Sequence, residues 1–194
     1  MDDSGFVVVK VGGSLFDLPD LGGRLKALLA SLDANRVAIL PGGGMTTDAV
    51  RLFDRIHHLG DERSHWLAIQ ALSVNARFLQ ALLPETPFIH TMDQLALASA
   101  SGSDLLIVDA LPFFWADECR ADHLPHSWDV TSDSLAVRAA TLLRARKLVL
   151  LKSVTWHGED WGQAAQAGVV DAYLVQALRQ SPSLRVRLVN LRTL

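Results

Sequence analysis

Four runs of branched apolar residues, Phe6 to Val11, Arg36 to Leu40, Leu105 to Asp109 and Lys147 to Leu151, recur along this chain with helix-length stretches between them. A fifth, Val186 to Leu191, follows near the end. A strand that alternates apolar with polar residues can turn one face to water. These near-continuous runs cannot, so each strand has to be covered on both sides. Strands of that kind separated by helices predict an α/β fold: a three-layer αβα sandwich around a mainly parallel central sheet. The stretches between them carry apolar residues at three-to-four spacing over Leu21 to Leu32, Ala49 to His58, Glu62 to Leu83, Ser132 to Leu143 and Ala172 to Leu178, which is the helical period. Asp20 and Thr131 fall at expected N-cap positions, Asp61 just precedes the third helix, and Gly168 lies ahead of the last. The segment Pro112 to Trp128, with its Pro, His, Trp and acidic residues, has the least regular pattern and is expected to cover the working edge of the sheet.

Composition narrows the function classes. The 194 residues suit one domain spanning 1–194, and 18 basic against 21 acidic residues leave a net charge of −3 with no basic face for a nucleic acid or a membrane. Cys119 is the sole cysteine, so no internal disulfide and no cysteine-based zinc site is expected. The opening Met1-Asp2-Asp3-Ser4-Gly5 lacks the basic start of a secretory leader. No apolar run reaches the ~18 residues of a membrane span, and a cytoplasmic protein is expected. His57, His58, His65, His123 and His126 match no zinc-motif spacing and read as solvated or capping side chains; no metal held by protein ligands is expected.

Glycines gather where strands end. The first run closes with Lys10-Val11-Gly12-Gly13-Ser14 and the second with Pro41-Gly42-Gly43-Gly44, each followed by a helix. Open α/β sheets bind ligands at the carboxyl ends of their strands, and missing β-carbons let anionic oxygens approach backbone N–H groups. Lys10 adds a point charge. Each loop alone also reads as a tight turn, but two of them point to a phosphate site. Neither carries the Gly-Lys-Ser/Thr of a P-loop or the Gly-x-Gly-x-x-Gly of a dinucleotide site. Asp129, Thr131, Ser132 and Asp133 form a polar cluster opening the fourth helix, where Asp133 would in any case favour the helix dipole. Lys152 ends an apolar strand, reaching either solvent or a phosphate, with Ser153 and Val154 beyond it. Asp48 and Arg51, three apart, share a helix face and either bind an acceptor or pair with each other. Trp115, Trp128, Trp156 and Trp161 either wall a ring-shaped ligand or pack the domain's covering segment. The apolar residues of Glu62 to Leu83 belong to the core or offer a dimer face.

Lys10 to Ser14, Gly42-Gly43-Gly44, Asp129 to Asp133 and Leu148 to Val154 occur in the order found in the amino acid kinase family, which this chain resembles over most of its length. Pro41 to Gly44 with Asp48, Val50 and Arg51, the stretch His65 to Ile69, and Ser127 to Asp133 resemble the subgroup of 5-(aminomethyl)-3-furanmethanol phosphate kinases of methanofuran biosynthesis. The resemblance implies an ATP-dependent kinase with a phosphate acceptor, Mg2+ held mainly through nucleotide phosphates, and a homodimer or higher homo-oligomer. It also implies an acceptor-binding part at about 1–125 and a nucleotide-binding part at about 126–194. Lys10 would stabilise charge on the moving phosphoryl group, meeting its charge partner only when phosphates bind, and Gly12 and Gly13 would donate N–H bonds to it. Asp133 would orient the lysines. Gly12, Gly13, Ser14, Ser153 and Val154 fall to the nucleotide; Gly42, Gly43, Gly44, Asp48, Arg51, Asp129, Thr131 and Ser132 fall to the acceptor. Two departures stand out. Many relatives read Thr-Asp-Val-Asp-Gly after the late strand where this chain has Lys152 to Gly158, and many carry a later lysine, a role left here to Lys152. Other acceptors of the family, uridylate, isopentenyl phosphate or an amino acid, are the alternatives, as is nucleotide or oxyanion binding without turnover.

Overall fold

The computed structural model describes residues 6–101 and 105–194; the opening residues 1–5, on which the reading of no secretory leader rests, lie outside that range. Six strands form one sheet: β1 (Val7–Val11), β2 (Val37–Pro41), β3 (Phe88–Ile89), β4 (Leu105–Val108), β5 (Lys147–Lys152) and β6 (Arg185–Asn190). Their order is β3-β4-β2-β1-β5-β6, with every pairing parallel. Around the sheet lie α1 (Leu21–Ser31), α2 (Gly44–His57), α3 (Asp61–Leu82), α4 (Met92–Ser101), α5 (Ala110–Asp117), α6 (Ser132–Leu142), α7 (Trp161–Gln166) and α8 (Leu174–Arg179). The expected three-layer sandwich is what forms.

Strand parity explains the layers. Val7, Val9, Val11, Ile39, Val149 and Leu151 point to one face and pack with Leu21, Leu25 and Leu28 of α1 and Leu79 of α3. Val8, Leu40, Leu106, Val108, Leu148 and Leu150 point to the other, against Ile69 of α3, Phe113 of α5 and Leu135 of α6. Successive strand side chains alternate faces, so Lys10 shares the face of Val8, and Lys152 that of Leu150. Lys10 stands opposite Leu150 in the β1–β5 register, which sets the two lysines on adjacent strands of the face that α6 crosses.

Several elements lie where the sequence pattern does not lead. β3 and α7 are too short to show a period, and α4 lacks a strong apolar stripe. Helix α2 begins at Gly44 rather than Ala49, because Gly44 at φ +57° and two threonines hide its first turn from any propensity argument. Part of the expected irregular segment is α5. Its Pro112 sits in the first turn, where the missing N–H is one that the helix leaves unpaired, and Asp109 caps the end by accepting from the Leu111 N–H.

Candidate functional site

Lys10, Asp133 and Lys152 meet at the carboxyl edge of the sheet. Lys10 Nζ donates to Asp133 Oδ1 at 2.9 Å and Lys152 Nζ to Asp133 Oδ2 at 2.6 Å, so one carboxylate bridges two ammonium groups. Lys10 and Asp133 are each about 4% exposed at the side chain and Lys152 is 13% exposed. Burial pushes the Asp133 carboxyl up, but the two lysine charges outweigh it and hold the group below its ordinary range. Burial, with the Lys10 charge added, pulls Lys152 down from 10.5 to about 8 despite its bond to Asp133. The expectation that Lys10 waits for phosphates to supply a partner is therefore corrected: Asp133 fills that place from the start.

The two glycine loops touch. A β-carbon on Gly13 would lie 2.1 Å from the Gly44 N, and one on Gly42 would lie 2.6 Å from the Gly13 N. No gap separates these backbones; only residues without side chains allow the approach. Gly12 differs from expectation too, because its N–H is spent on the Leu151 carbonyl at 2.8 Å, and a β-carbon there would meet that same oxygen at 2.5 Å. It splices β1 to β5 rather than offering a free donor. Ser14 and Ser153 share a hydroxyl hydrogen bond of 2.9 Å across the same splice, and Val154 is exposed beside it.

Space opens next to the lysines. A cleft of about 360 Å³ is bounded by Lys10, Lys152, Asp133, Arg51, Asp129 and Asp171, with Thr131 and Ser132 at its rim. An apolar chamber of about 50 Å³ adjoins it, lined by Gly43, Ile69, Leu72 and Leu135 and sharing Arg51, Trp128, Thr131 and Ser132. The Arg51 guanidinium lies 4.2 Å from the centre of the Trp128 ring, and the Trp128 indole N–H donates to Asp54 at 2.7 Å. Of the predicted acceptor residues, Arg51, Asp129, Thr131, Ser132 and Gly43 border these spaces. Asp48 does not: it is exposed on α2 and borders neither space, while Arg51 turns to Trp128. Trp156 and Trp161 pack against the core, and Trp115 lies against Trp66 with ring centres 4.8 Å apart, so Trp128 alone of the four borders the cleft.

Two residues outside the sequence argument hold the site together. Asp171 accepts from the Thr131 N–H at 3.1 Å, the Thr131 hydroxyl at 2.9 Å, the Ser134 N–H at 2.9 Å and the Ser134 hydroxyl. It thus caps α6 from a distant segment, replacing the cap expected from Thr131, whose side chain bonds no helix amide. Asn75 is buried in α3 and donates to the carbonyls of Gly42 at 2.8 Å and Gly43 at 2.6 Å. An asparagine interrupting the Ile69, Leu72, Ala76, Leu79 stripe was its only signal. The histidines also depart from expectation: His123 and His126 converge with Glu118, their ligand atoms all within 4.8 Å.

The sequence model of the Amino acid kinase family matches residues 5–155. The chain belongs to that family. A curated member, the [5-(aminomethyl)furan-3-yl]methyl phosphate kinase of Methanocaldococcus jannaschii, is 31% identical over 150 residues. Those residues make up 76% of this chain but 65% of that relative, so the chain spans about two thirds of its length. Among solved structures, the UMP kinase of Ureaplasma parvum superposes with a TM-score of 0.65 at 14% identity, covering 96% of this chain and 89% of that one. The uridylate kinase of Archaeoglobus fulgidus gives 0.64 at 14% identity, covering 96% and 92%. At such identities the likeness carries the amino acid kinase fold. The family match ends at Thr155, just past β5, so β6, α7, α8 and Asp171 lie beyond it.

Proposed function

We propose that this amino acid kinase family member transfers the γ-phosphoryl group of ATP to the phosphate of a small acceptor, with 5-(aminomethyl)-3-furanmethanol phosphate favoured and its diphosphate the product. The observation that carries the reading is the Lys10–Asp133–Lys152 bridge flooring a cleft beside two glycine loops in contact. One carboxylate shared by two buried ammonium groups leaves a cation there that an anion completes. The acceptor oxygen forms a bond to Pγ while the bond from Pγ to the bridging oxygen of ADP breaks. Charge spread over the moving group's oxygens meets two lysines already in position, so little reorganisation is needed at that moment. Asp133 is a positioning residue in this scheme, and an already anionic acceptor requires no base.

Mg2+ fits as an ion carried by the nucleotide phosphates, whose charge it neutralises. Asp171 is committed to four hydrogen bonds and Asp133 to the two lysines. We assign the acceptor mainly to the part up to about residue 125, with Trp128, Asp129, Thr131 and Ser132 joining it from just beyond, and the nucleotide mainly to the remainder, in the cytoplasm. The acceptor's ring would enter the apolar chamber between Arg51, Trp128 and the side chains of Ile69, Leu72 and Leu135. A homodimer is part of the reading, motivated by Leu52, Phe53 and Ile56 of α2 and Val74 and Phe78 of α3, all apolar and exposed.

The test is ADP release with Mg2+-ATP across a panel of acceptors, with 31P NMR to identify the product. A diphosphate formed from the furan phosphate supports the reading. Turnover only with uridylate, isopentenyl phosphate or an amino acid replaces the acceptor, and tight ATP binding with no transfer to any of them leaves a nucleotide-binding protein instead.

A further inference from the structure

Between α5 and α6 the chain passes through three side chains that the phosphoryl-transfer reading does not use. Glu118 follows the last turn of α5, and His123 and His126 come from the segment leading to Trp128. His123 Nδ1 lies 2.9 Å from the carbonyl oxygen of Leu124. A carbonyl only accepts, so Nδ1 carries the proton, and in a neutral ring Nε2 presents a lone pair. His126 Nδ1 lies 2.5 Å from the Glu62 carboxylate, which likewise puts a proton on Nδ1. Both free Nε2 atoms then face one carboxylate: His126 Nε2 is 3.1 Å from Glu118 Oε2 and His123 Nε2 is 3.8 Å from Glu118 Oε1.

The 3.1 Å approach of His126 Nε2 to Glu118 is a hydrogen bond only when that ring carries a second proton, and a divalent cation held among the three donors satisfies the same electron pairs while drawing in His123 as well. The surroundings match what metal-ligating histidines need, since each donates its remaining N–H to an oxygen that fixes the ring and raises its basicity. Glu62 does this for His126, and the Leu124 carbonyl does it for His123. His65 stacks on His126 with ring centres 3.8 Å apart, which packs that ring against α3. Ligands at the ~2.0–2.1 Å of a tetrahedral zinc site stand about 3.3 Å apart. The donor atoms here are already within 4.8 Å of one another, and His123 is exposed.

We propose that Glu118, His123 and His126 bind one divalent transition-metal ion of the Zn2+ type, which ties the segment carrying Ser127 and Trp128 to the end of α5. Two imidazoles and a carboxylate suit such an ion, with water completing the shell. Its role is to hold the wall of the cleft, and it takes no part in bond making. Because His126 is bonded to Glu62 of α3 and is followed directly by Ser127 and Trp128, the ion fixes where that wall stands.

The test uses the full chain stripped with a chelator and titrated with Zn2+ against a chromogenic competitor, then with Co2+ read by its visible absorption. One equivalent per chain, a raised melting temperature and tetrahedral Co2+ bands are expected. His123→Ala, at an exposed position that leaves the fold intact, should weaken binding at least about tenfold and abolish the bands, and Glu62→Gln should weaken it by about tenfold through His126. A His57→Ala, His58→Ala double variant, changed only at exposed histidines elsewhere, should bind as the parent does. Zn2+ affinity and Co2+ spectra unchanged in His123→Ala, or lost in the His57, His58 variant, would overturn the assignment. The outcome is independent of kinase activity.

Discussion

Lys10 and Lys152 reach the cleft from adjacent central strands, and Asp133 from the helix crossing them. Arg51 and Trp128 reach it from a half-exposed helix and a loop, held to one another by a stacked guanidinium and to Asp54 by one indole hydrogen bond. The floor is thus fixed by backbone register and by charges paired with one another, while the wall rests on two contacts nearer solvent. Floor residues should govern how fast the proposed transfer runs, and wall residues how well the acceptor is gripped. Substitutions can separate the two.

The largest effect is expected at the floor. Lys10→Met keeps volume and removes the charge, and loss of one such electrostatic contact in a closed site costs about 10²–10³ in turnover. It should lower kcat with KM little changed, measured by ADP release at saturating acceptor. Asp133 retains Lys152, so the variant should still fold, as circular dichroism would register. Unaltered kcat would detach the floor from the chemistry.

Next comes the contact between the glycine loops. Gly13→Ala drives a β-carbon into the Gly44 backbone, and such overpacking costs typically 1–3 kcal/mol; the upper end, about 3 kcal/mol, is expected here because backbone has to move. Gly23→Ala is the contrast, since an added β-carbon there meets nothing within 4 Å in α1 and should stabilise by about 0.5–1 kcal/mol. Urea melts of the two read the difference. Equal midpoints would mean that the loops do not need their contact.

How much of this the sequence could disclose follows the same division. The floor was legible because each part leaves a local mark: glycines at strand ends, lysines closing apolar runs, and an aspartate in a helix's first turn. Strand parity then brings the marks together. What stayed hidden acts across the chain. Asp171 caps α6 from 37 residues beyond Ser134, and Asn75 grips a glycine loop 32 residues before it. Neither spacing has a period to detect. Gly12 was misread because its neighbours suggest a phosphate donor, whereas only the β1–β5 pairing reveals that its N–H is taken. The Glu118, His123 and His126 grouping was missed for a different reason: the three lie close in sequence, but their spacing matches no zinc motif, and only the path of the chain between α5 and α6 turns the side chains toward one another.

A smaller effect is expected at the wall. Trp128→Ala removes both the stack on Arg51 and the bond to Asp54, and should raise the acceptor KM about tenfold with kcat nearly unchanged, the signature of lost uniform binding. Trp128→Phe keeps a ring for Arg51 and should fall between. A drop in kcat equal to that of Lys10→Met would erase the distinction between floor and wall.

The finest discrimination uses pH. Burial, then the Lys10 charge, hold Lys152 at about 8 against 10.5 for an ordinary lysine. Between those values the unfolded chain binds a proton that the folded one has released, so the slope of unfolding free energy with pH is positive. Stability should therefore carry the full cost of burying the charged amine below pH about 8 and recover as pH rises toward 10.5. Transfer needs the charged form and should move the other way, with kcat/KM falling as pH climbs through about 8, because that ratio reports the ligand-free site. The limb in kcat should sit at higher pH, since bound phosphates favour the protonated amine. Lys152→Arg stays charged throughout and should flatten the alkaline limb of kcat/KM, whereas Lys152→Met should remove the pH-dependent gain in stability. If stability and kcat/KM instead fall together above pH 8, the bond to Asp133 outweighs burial, and Lys152 enters the site as a structural cation rather than one held ready for phosphate.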